Sequence, residues 1–146
     1  MTHLDVTAET TIGAGRDRVA AYAMDPRNDP IWIGGLKQVE VLTEGPIEKG
    51  STVQRIASFM GKRIEYVMEI VELEPGRRLG MHAIRSPFLM DVTYTFEDAG
   101  AGTQVRIRVE GDPGGAYRIA GPLLPAMVRR PVAGDLKRLK RIMEGS

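Results

Sequence analysis

The sequence predicts an α+β protein in which a seven-stranded antiparallel sheet is covered by one long C-terminal helix. Between residues 36 and 110 apolar side chains alternate with polar ones, which is the period of strands that bury one face. From about residue 115 to 144 they instead recur every three or four residues, which is the period of an amphipathic helix. Because short turns join the strands, we expect one antiparallel meander with the helix packed on its apolar side.

The N-terminal part predicts one strand and two short helices. Residues 3–12 alternate as a strand with one solvent-exposed face. Residues 16–24 then read as a short helix, which ends at Asp25-Pro26 because a residue before proline disfavours the helical conformation. A second short helix is expected over residues 28–33, with Pro30 in its first turn, and Gly34 follows it.

Six more strands follow, and turn residues separate them. The predicted strands are residues 36–43, 51–60, 63–74, 79–85, 88–97 and 103–110. Gly61-Lys62 is expected to form a tight type II′ hairpin, since this turn favours glycine in its first central position. With the final helix, the predicted order is one strand, two short helices, six strands and one long helix (β-α-α-β6-α, where β6 stands for six consecutive strands).

The final helix contains three prolines, Pro122, Pro125 and Pro131. An interior proline removes a hydrogen bond and costs about 3 kcal/mol. We therefore expect a short first piece with a break or kink near Gly121-Pro122, and Pro131 marks the place for a second one.

Composition indicates one globular domain spanning residues 1–146. The chain is 42% hydrophobic and 27% charged, and it has no cysteine, which excludes disulfides, thiolate catalysis and cysteine-bound metals. The net charge of +1 argues against a dedicated nucleic-acid binder. Neither a secretory signal nor a run long enough to span a membrane is visible, so a cytoplasmic protein is expected.

The positive charge is concentrated at the C-terminal end. Residues 116–146 hold seven basic and two acidic residues, against thirteen and seventeen in residues 1–115. A basic helix face that is simply exposed to solvent explains this asymmetry more simply than a dedicated binding surface does. The alternative is peripheral contact with anionic lipid or an acidic partner.

The order of elements, together with several turn motifs, resembles the polyketide cyclase/dehydrase and lipid-transport group of the START-like, Bet v 1-like (SRPBCC) superfamily. The matching pieces are residues 25–32, Gly45-Pro46, Lys49-Gly50-Ser51, residues 72–79, residues 102–105 and residues 135–140. The resemblance implies a helix-grip fold, in which a curved sheet wraps around the C-terminal helix and leaves a cavity between them. It also implies binding of hydrophobic small molecules, with only some members acting as enzymes and no shared catalytic residue.

Ligand contacts are expected from residues that face such a cavity. The candidates are Trp32, Tyr66, Met68, His82, Met90, Tyr94, Tyr117, Leu124, Met127 and Val128. Methionine suits an adaptable pocket, although it equally serves to fill gaps in a core. Trp32 either gates the cavity mouth or anchors its helix to the sheet. Buried tyrosine hydroxyls need a partner, which a ligand or a backbone carbonyl would supply.

His82 and Tyr66 are the weak catalytic candidates. If His82 and Ile84 point inward, the histidine could act as a general acid or base, provided that a carboxylate holds its other nitrogen. The opposite alternation, with Met81 and Ala83 inward, places His82 in water. Possible carboxylate partners are Glu65, Glu69 and Asp91.

Other kinds of catalytic site find no support in the sequence. The only histidines are His3 and His82, so no paired-histidine metal motif exists, and we expect neither a metal nor a cofactor. No serine lies in a nucleophile turn, and Gly100-Ala101-Gly102 belongs to a hairpin, not to a dinucleotide-binding loop.

Three functions follow, in order of preference. The first is binding or carriage of a hydrophobic small molecule, such as a lipid, polyketide or isoprenoid. The second is an enzyme of the polyketide cyclase/dehydratase type that uses acid/base groups in the same cavity. The third is a protein- or membrane-interaction module that uses the basic helix. The sequence leaves a monomer and a homodimer equally open.

Overall fold

The computed structural model describes residues 4–59, 61–112 and 122–145. Within these residues the chain forms seven strands, three α-helices and, after the first helix, a 3₁₀ turn. They are β1 (Leu4–Ile12), α1 (Arg16–Ala23), the 3₁₀ turn (Pro26–Asn28), α2 (Asp29–Trp32), β2 (Leu36–Val41), β3 (Thr52–Phe59), β4 (Lys62–Glu74), β5 (Arg78–Arg85), β6 (Leu89–Ala99), β7 (Gly102–Asp112) and α3 (Leu124–Glu144).

The seven strands form one antiparallel sheet in the order β1-β7-β6-β5-β4-β3-β2. Consecutive strands pair from β2 to β7, and β1 then joins the far side of β7. The predicted α+β class and the seven-stranded antiparallel sheet are confirmed, and the described strand ends lie within two residues of the expected ones. His3 and Met60, at the expected ends of two strands, fall outside the described residues.

The expected Gly61-Lys62 turn was wrong by one position. Phe59 pairs with Lys62, so Lys62 already belongs to β4 and only two residues of the chain separate the paired positions. Gly61 therefore stands second in the loop, with φ at +79°. A type II′ turn needs its positive φ at the first central residue, so the glycine serves a different turn from the one expected.

Helix α3 continues through Pro131, so no break occurs there. Pro131 is exposed, which lets its ring point away from the core, and the helix is held by buried residues further along, among them Leu136 and Leu139. Pro125 lies in the first turn, where its missing N–H is not needed. Residues 113–121, which include Tyr117 and Gly121, lie outside the described part of the chain.

Hydrogen bonds fasten α3 to the loop that follows α2. The backbone N–H of Gly34 donates to Asp135 Oδ1 at 2.9 Å, and Arg138 Nη1 donates to the carbonyl oxygen of Trp32 at 2.8 Å. Burial raises the pKa of Asp135, although the bond from Gly34 and the charge of Arg138 oppose this. The helix is thus tied to the N-terminal part of the chain, and its first turn lies against β1, β6 and β7.

The core lies between the inner face of the sheet and the helices. It includes Trp32 from α2, Met68 from β4, Phe96 from β6 and Leu136 with Leu139 from α3, each at most 1% exposed. The outer face of the sheet carries charged side chains instead. Among the described residues, no helix is both long and apolar enough to cross a membrane.

Candidate ligand site between the sheet and helix α3

An apolar pocket lies where the first turn of α3 crosses the ends of β6 and β7. Its volume is about 120 Å³. Its lining comes from β1, the tip of the β3–β4 hairpin, the start of β6, the end of β7 and α3: Leu4, Phe59, Phe88, Leu89, Met90, Val109, Glu110, Gly111, Leu124 and Val128. The pocket can therefore hold an apolar group of a ligand between sheet and helix.

This pocket is smaller than the roughly 300–1,000 Å³ of typical small-molecule sites. Beside the pocket, the inner face of the sheet is not fully sealed. Ala57 on β3 and Val92 on β6 each lie one inward-facing position beyond the pocket, and both are partly exposed. These two positions keep some solvent access on the inner face of the sheet next to the pocket.

In the middle of the sheet lies a buried ion pair. Arg55 on β3 donates from Nη2 to Asp29 Oδ2, at the start of α2, at 2.5 Å. Arg55 is 6% exposed and Asp29 1%. The same Nη2 lies 3.6 Å from the sulfur of Met81, and the Tyr94 hydroxyl lies within hydrogen-bonding reach of the guanidinium. Charged groups with so little solvent contact are rare unless they are paired, as these are.

Trp32 on α2 packs beside these residues, against Tyr94. It lies one helical turn after Asp29, so both side chains project toward the sheet. The rings of Trp32 and Tyr94 meet edge to face, with centroids 5.8 Å apart. We call Asp29, Trp32, Arg55 and Tyr94 the buried polar cluster.

Burial changes the acid–base properties of this cluster. It raises the pKa of Asp29 to about 7, because desolvation of the carboxylate outweighs the attraction of Arg55. Burial and the negative charge of Asp29 also raise the pKa of Tyr94. For Arg55, burial acts to lower the pKa, but Asp29 outweighs it and the pKa is raised, so the guanidinium stays charged. Asp29 can therefore exchange a proton near neutral pH.

Three polar atoms of the cluster have no hydrogen-bond partner among the described residues. They are Asp29 Oδ1, Trp32 Nε1 and Arg55 Nε. Buried polar atoms nearly always find a partner, in the protein, in water or in a ligand. Three such atoms within one group of buried side chains make the buried polar cluster the polar counterpart of the apolar pocket.

The structure divides the residues that were expected to contact a ligand. Met90, Leu124 and Val128 line the apolar pocket, and Trp32 and Tyr94 belong to the buried polar cluster. Among the rest, Met68 is sealed in the core, Tyr66 is partly buried beside Arg55, Met127 is half-buried on α3 outside the pocket lining, and Tyr117 lies outside the described residues. Of the two roles weighed for Trp32, the observed 1% exposure fits the anchor.

The inward orientation considered for His82 was wrong. Met81 and Ala83 are the buried residues of β5, so His82 points to the outer face, where its side chain is 45% exposed. Its Nδ1 lies 2.6 Å from Oδ1 of Asp91, one of the carboxylates considered as its partner. This pair lies on the opposite side of the sheet from the pocket, so it cannot act on a ligand held there.

The described residues contain no group of three or more His, Asp or Glu side chains that could hold a metal ion.

Comparison with known proteins gives the family. The family model for polyketide cyclase / dehydrase and lipid transport matches residues 3–144. The chain belongs to this family. It is thereby placed in the SRPBCC superfamily, which confirms the resemblance drawn from the sequence.

Solved structures share the helix-grip fold of this family member. They include TTHA0849 from Thermus thermophilus (21% identity, 94% of each chain covered, TM-score 0.82). The Zhui aromatase/cyclase from Streptomyces sp. R1128 aligns at 19% identity over 98% of this chain and 94% of its own, also with a TM-score of 0.82. A START superfamily protein from Mycobacterium smegmatis aligns at 13% identity over 99% of both chains, again at 0.82. No curated protein matches the sequence.

Sequence reasoning missed the ion pair at the centre of this family member. Arg55 falls on the inward-facing side of β3, in phase with the buried Val53 and with Phe59 of the pocket. A charged residue in that phase was the available signal. Asp29 carried no comparable signal, because an aspartate before Pro30 is also ordinary at the start of a helix.

Proposed function

We propose that this protein binds or carries a hydrophobic small molecule, such as a lipid, polyketide or isoprenoid, between its sheet and α3. The proposal treats residues 1–146 as one cytoplasmic ligand-binding domain. The apolar pocket under the first turn of α3 is the observation that carries it. Membership of a family described by polyketide chemistry and lipid transport supports it.

The character of the pocket favours an apolar group that can be exchanged. Met90 contributes a flexible, polarisable side chain that adapts to different shapes. Leu124 and Val128 lie one turn apart on α3, so a small displacement of the helix start would widen the pocket. Leu89 lines it as well and is 65% exposed, which places its mouth at the protein surface.

Binding of the neutral dye N-phenylnaphthylamine tests the proposal. We expect its fluorescence to rise on binding and to fall when a hydrophobic competitor is added. Val128→Phe fills the pocket and should weaken binding about tenfold or more, since it removes most of a 120 Å³ space. Val71→Phe is the matched control, because Val71 is 42% exposed on β4 and outside the pocket lining.

Equal weakening by the two phenylalanine variants would show that the dye binds elsewhere. Two results together would argue against carriage altogether. The unmodified protein would bind no dye, and protein purified from cells under native conditions would have the mass of the polypeptide alone, with no bound ligand.

The buried polar cluster favours a second candidate, an enzyme of the polyketide cyclase/dehydratase type. Asp29, with a pKa near 7, has the proton affinity that a general acid or base needs at neutral pH, and Arg55 could stabilise a developing enolate. Cyclisation of a linear poly-β-ketone ester should then be accelerated by the protein and lost in Asp29→Asn. His82→Ala should leave it unchanged. Equal rates with the protein and with Asp29→Asn would eliminate this candidate.

A further inference from the structure

We propose that the buried polar cluster binds a hydroxyl group, and that the ligand is therefore an apolar molecule with a neutral alcohol or phenol at one end. This inference rests on the proposed function and adds the chemical class of the ligand. It rests on three atoms that have no hydrogen-bond partner in the described part of the chain: Asp29 Oδ1, Trp32 Nε1 and Arg55 Nε.

The three atoms together match the hydrogen-bonding capacity of a hydroxyl group. Trp32 Nε1 and Arg55 Nε are donors, and ionised Asp29 Oδ1 is an acceptor. A hydroxyl accepts up to two hydrogen bonds and donates one. One hydroxyl therefore has the donor and acceptors that these three atoms lack, whereas an ether oxygen would leave Asp29 Oδ1 without a donor.

The charge of the cluster argues against an acidic ligand. The positive charge of Arg55 is already neutralised by Asp29, whose Oδ2 lies 2.5 Å from Nη2. A carboxylate group would bring a second negative charge next to Asp29 in an environment with little solvent, where like charges repel strongly. The site therefore selects a neutral hydroxyl over a fatty-acid carboxylate.

The cluster and the apolar pocket lie on the same inner face of the sheet. On β3, Arg55 precedes Phe59 of the pocket by four residues, and on β6, Tyr94 follows Met90 of the pocket by four. Four residues of strand span about 13 Å. A medium-length alkyl chain would extend from the cluster into the pocket, past the partly exposed Ala57 and Val92.

The single tryptophan provides a direct readout. Because Trp32 is the only tryptophan, its indole N–H gives one assignable signal in a proton–nitrogen correlation spectrum. At pH 8, above the pKa of Asp29, we expect n-decanol to shift this signal downfield as the hydroxyl accepts the Nε1 hydrogen bond. We expect n-decanol to bind about tenfold or more tightly than n-decyl methyl ether or n-decanoate.

Trp32→Phe removes the indole donor and retains a buried aromatic ring. It should reduce the preference for n-decanol over n-decyl methyl ether by about fivefold or more. Phe96→Leu is the control, because Phe96 is also 1% exposed but carries no polar atom, and it should keep the preference. Circular dichroism establishes that each variant is folded, and the indole shift tests the proposal without any substitution.

The possible results separate this inference from the function on which it rests. If the three ligands bind equally, or the Trp32 signal does not move while the methyl signals of Leu124 and Val128 do, the cluster holds only water and the hydroxyl proposal is overturned. The proposed function would survive that result. If none of the three ligands binds, the proposed function itself fails.

Discussion

Replacing Arg55 by methionine tests whether the buried ion pair is a true charge pair in the folded protein. Methionine keeps a long unbranched side chain but removes the charge, leaving the Asp29 carboxylate 1% exposed and without its cation. Breaking a buried pair by removing one partner typically costs about 3–5 kcal/mol. We expect a loss of this size in the free energy of unfolding at pH 8.

The loss should depend on pH, and its direction follows from the pKa of Asp29. Burial raises this pKa to about 7 in the folded protein, whereas the pKa of an aspartate in an unfolded chain is about 3.9. The folded state therefore binds the proton more tightly, and the stability linked to it is full below about pH 4 and is lost as the pH rises through 7. For one proton the slope is at most about 1.4 kcal/mol per pH unit. Without Arg55 the pKa of Asp29 rises further, so Arg55→Met should cost less at pH 5 than at pH 8.

Urea denaturation at pH 5 and pH 8 measures this difference. Arg106→Met is the matched control, because Arg106 pairs with Glu9 at 3.0 Å on the outer face, where the two side chains are 43% and 51% exposed. An exposed pair contributes about 0–1 kcal/mol, so the control should lose little at either pH. The reasoning is refuted if Arg55→Met loses no more than Arg106→Met, or if its loss is larger at pH 5.

Three further substitutions probe other parts of the fold. Asp135→Ala removes the acceptor for the Gly34 N–H, which lies 2.9 Å away, and should lower the free energy of unfolding by about 1–3 kcal/mol, as measured by urea denaturation. An unchanged free energy of unfolding would show that this bond does not hold α3 in place. His82→Ala should change stability by less than about 1 kcal/mol and leave dye binding intact, since the ring is on the outer face; impaired binding would contradict that placement. Gly76→Ala should lower the free energy of unfolding by about 1–2 kcal/mol, because the φ angle of Gly76 is +79° and the new Cβ would lie 2.8 Å from Asp17 Oδ1. A variant as stable as the unmodified protein would contradict this.

The strands and their order could be predicted because each depends on local signals. Alternation identified the buried faces of β6 and β7, and glycine or proline marked nearly every turn. The position of the β3–β4 turn was missed by one residue because Lys62 reads equally well as a turn residue or as the first residue of a strand. Pro131 was weighed as an interior breaker, but the buried apolar stripe of α3 outweighs the loss of one hydrogen bond.

The site was less predictable because it depends on contacts between distant elements. Arg55 and Asp29 lie 26 residues apart on different elements, and they meet only when α2 packs against the sheet. His82 could not be placed because β5 is short and the apolar Ile84 shares its phase, yet Ile84 is 49% exposed. The pocket combines residues from β1, β3, β6, β7 and α3, so its volume is set by packing that no single segment encodes.

Intermolecular nuclear Overhauser effects test the central claim most directly, because they show where a bound guest lies. With n-decanol bound to methyl-labelled protein, we predict contacts from the alkyl chain to the methyl groups of Met90, Leu124 and Val128, which line the apolar pocket. Contacts confined to Val71 and Ile84, which are exposed outside that lining, would contradict a guest held between sheet and helix.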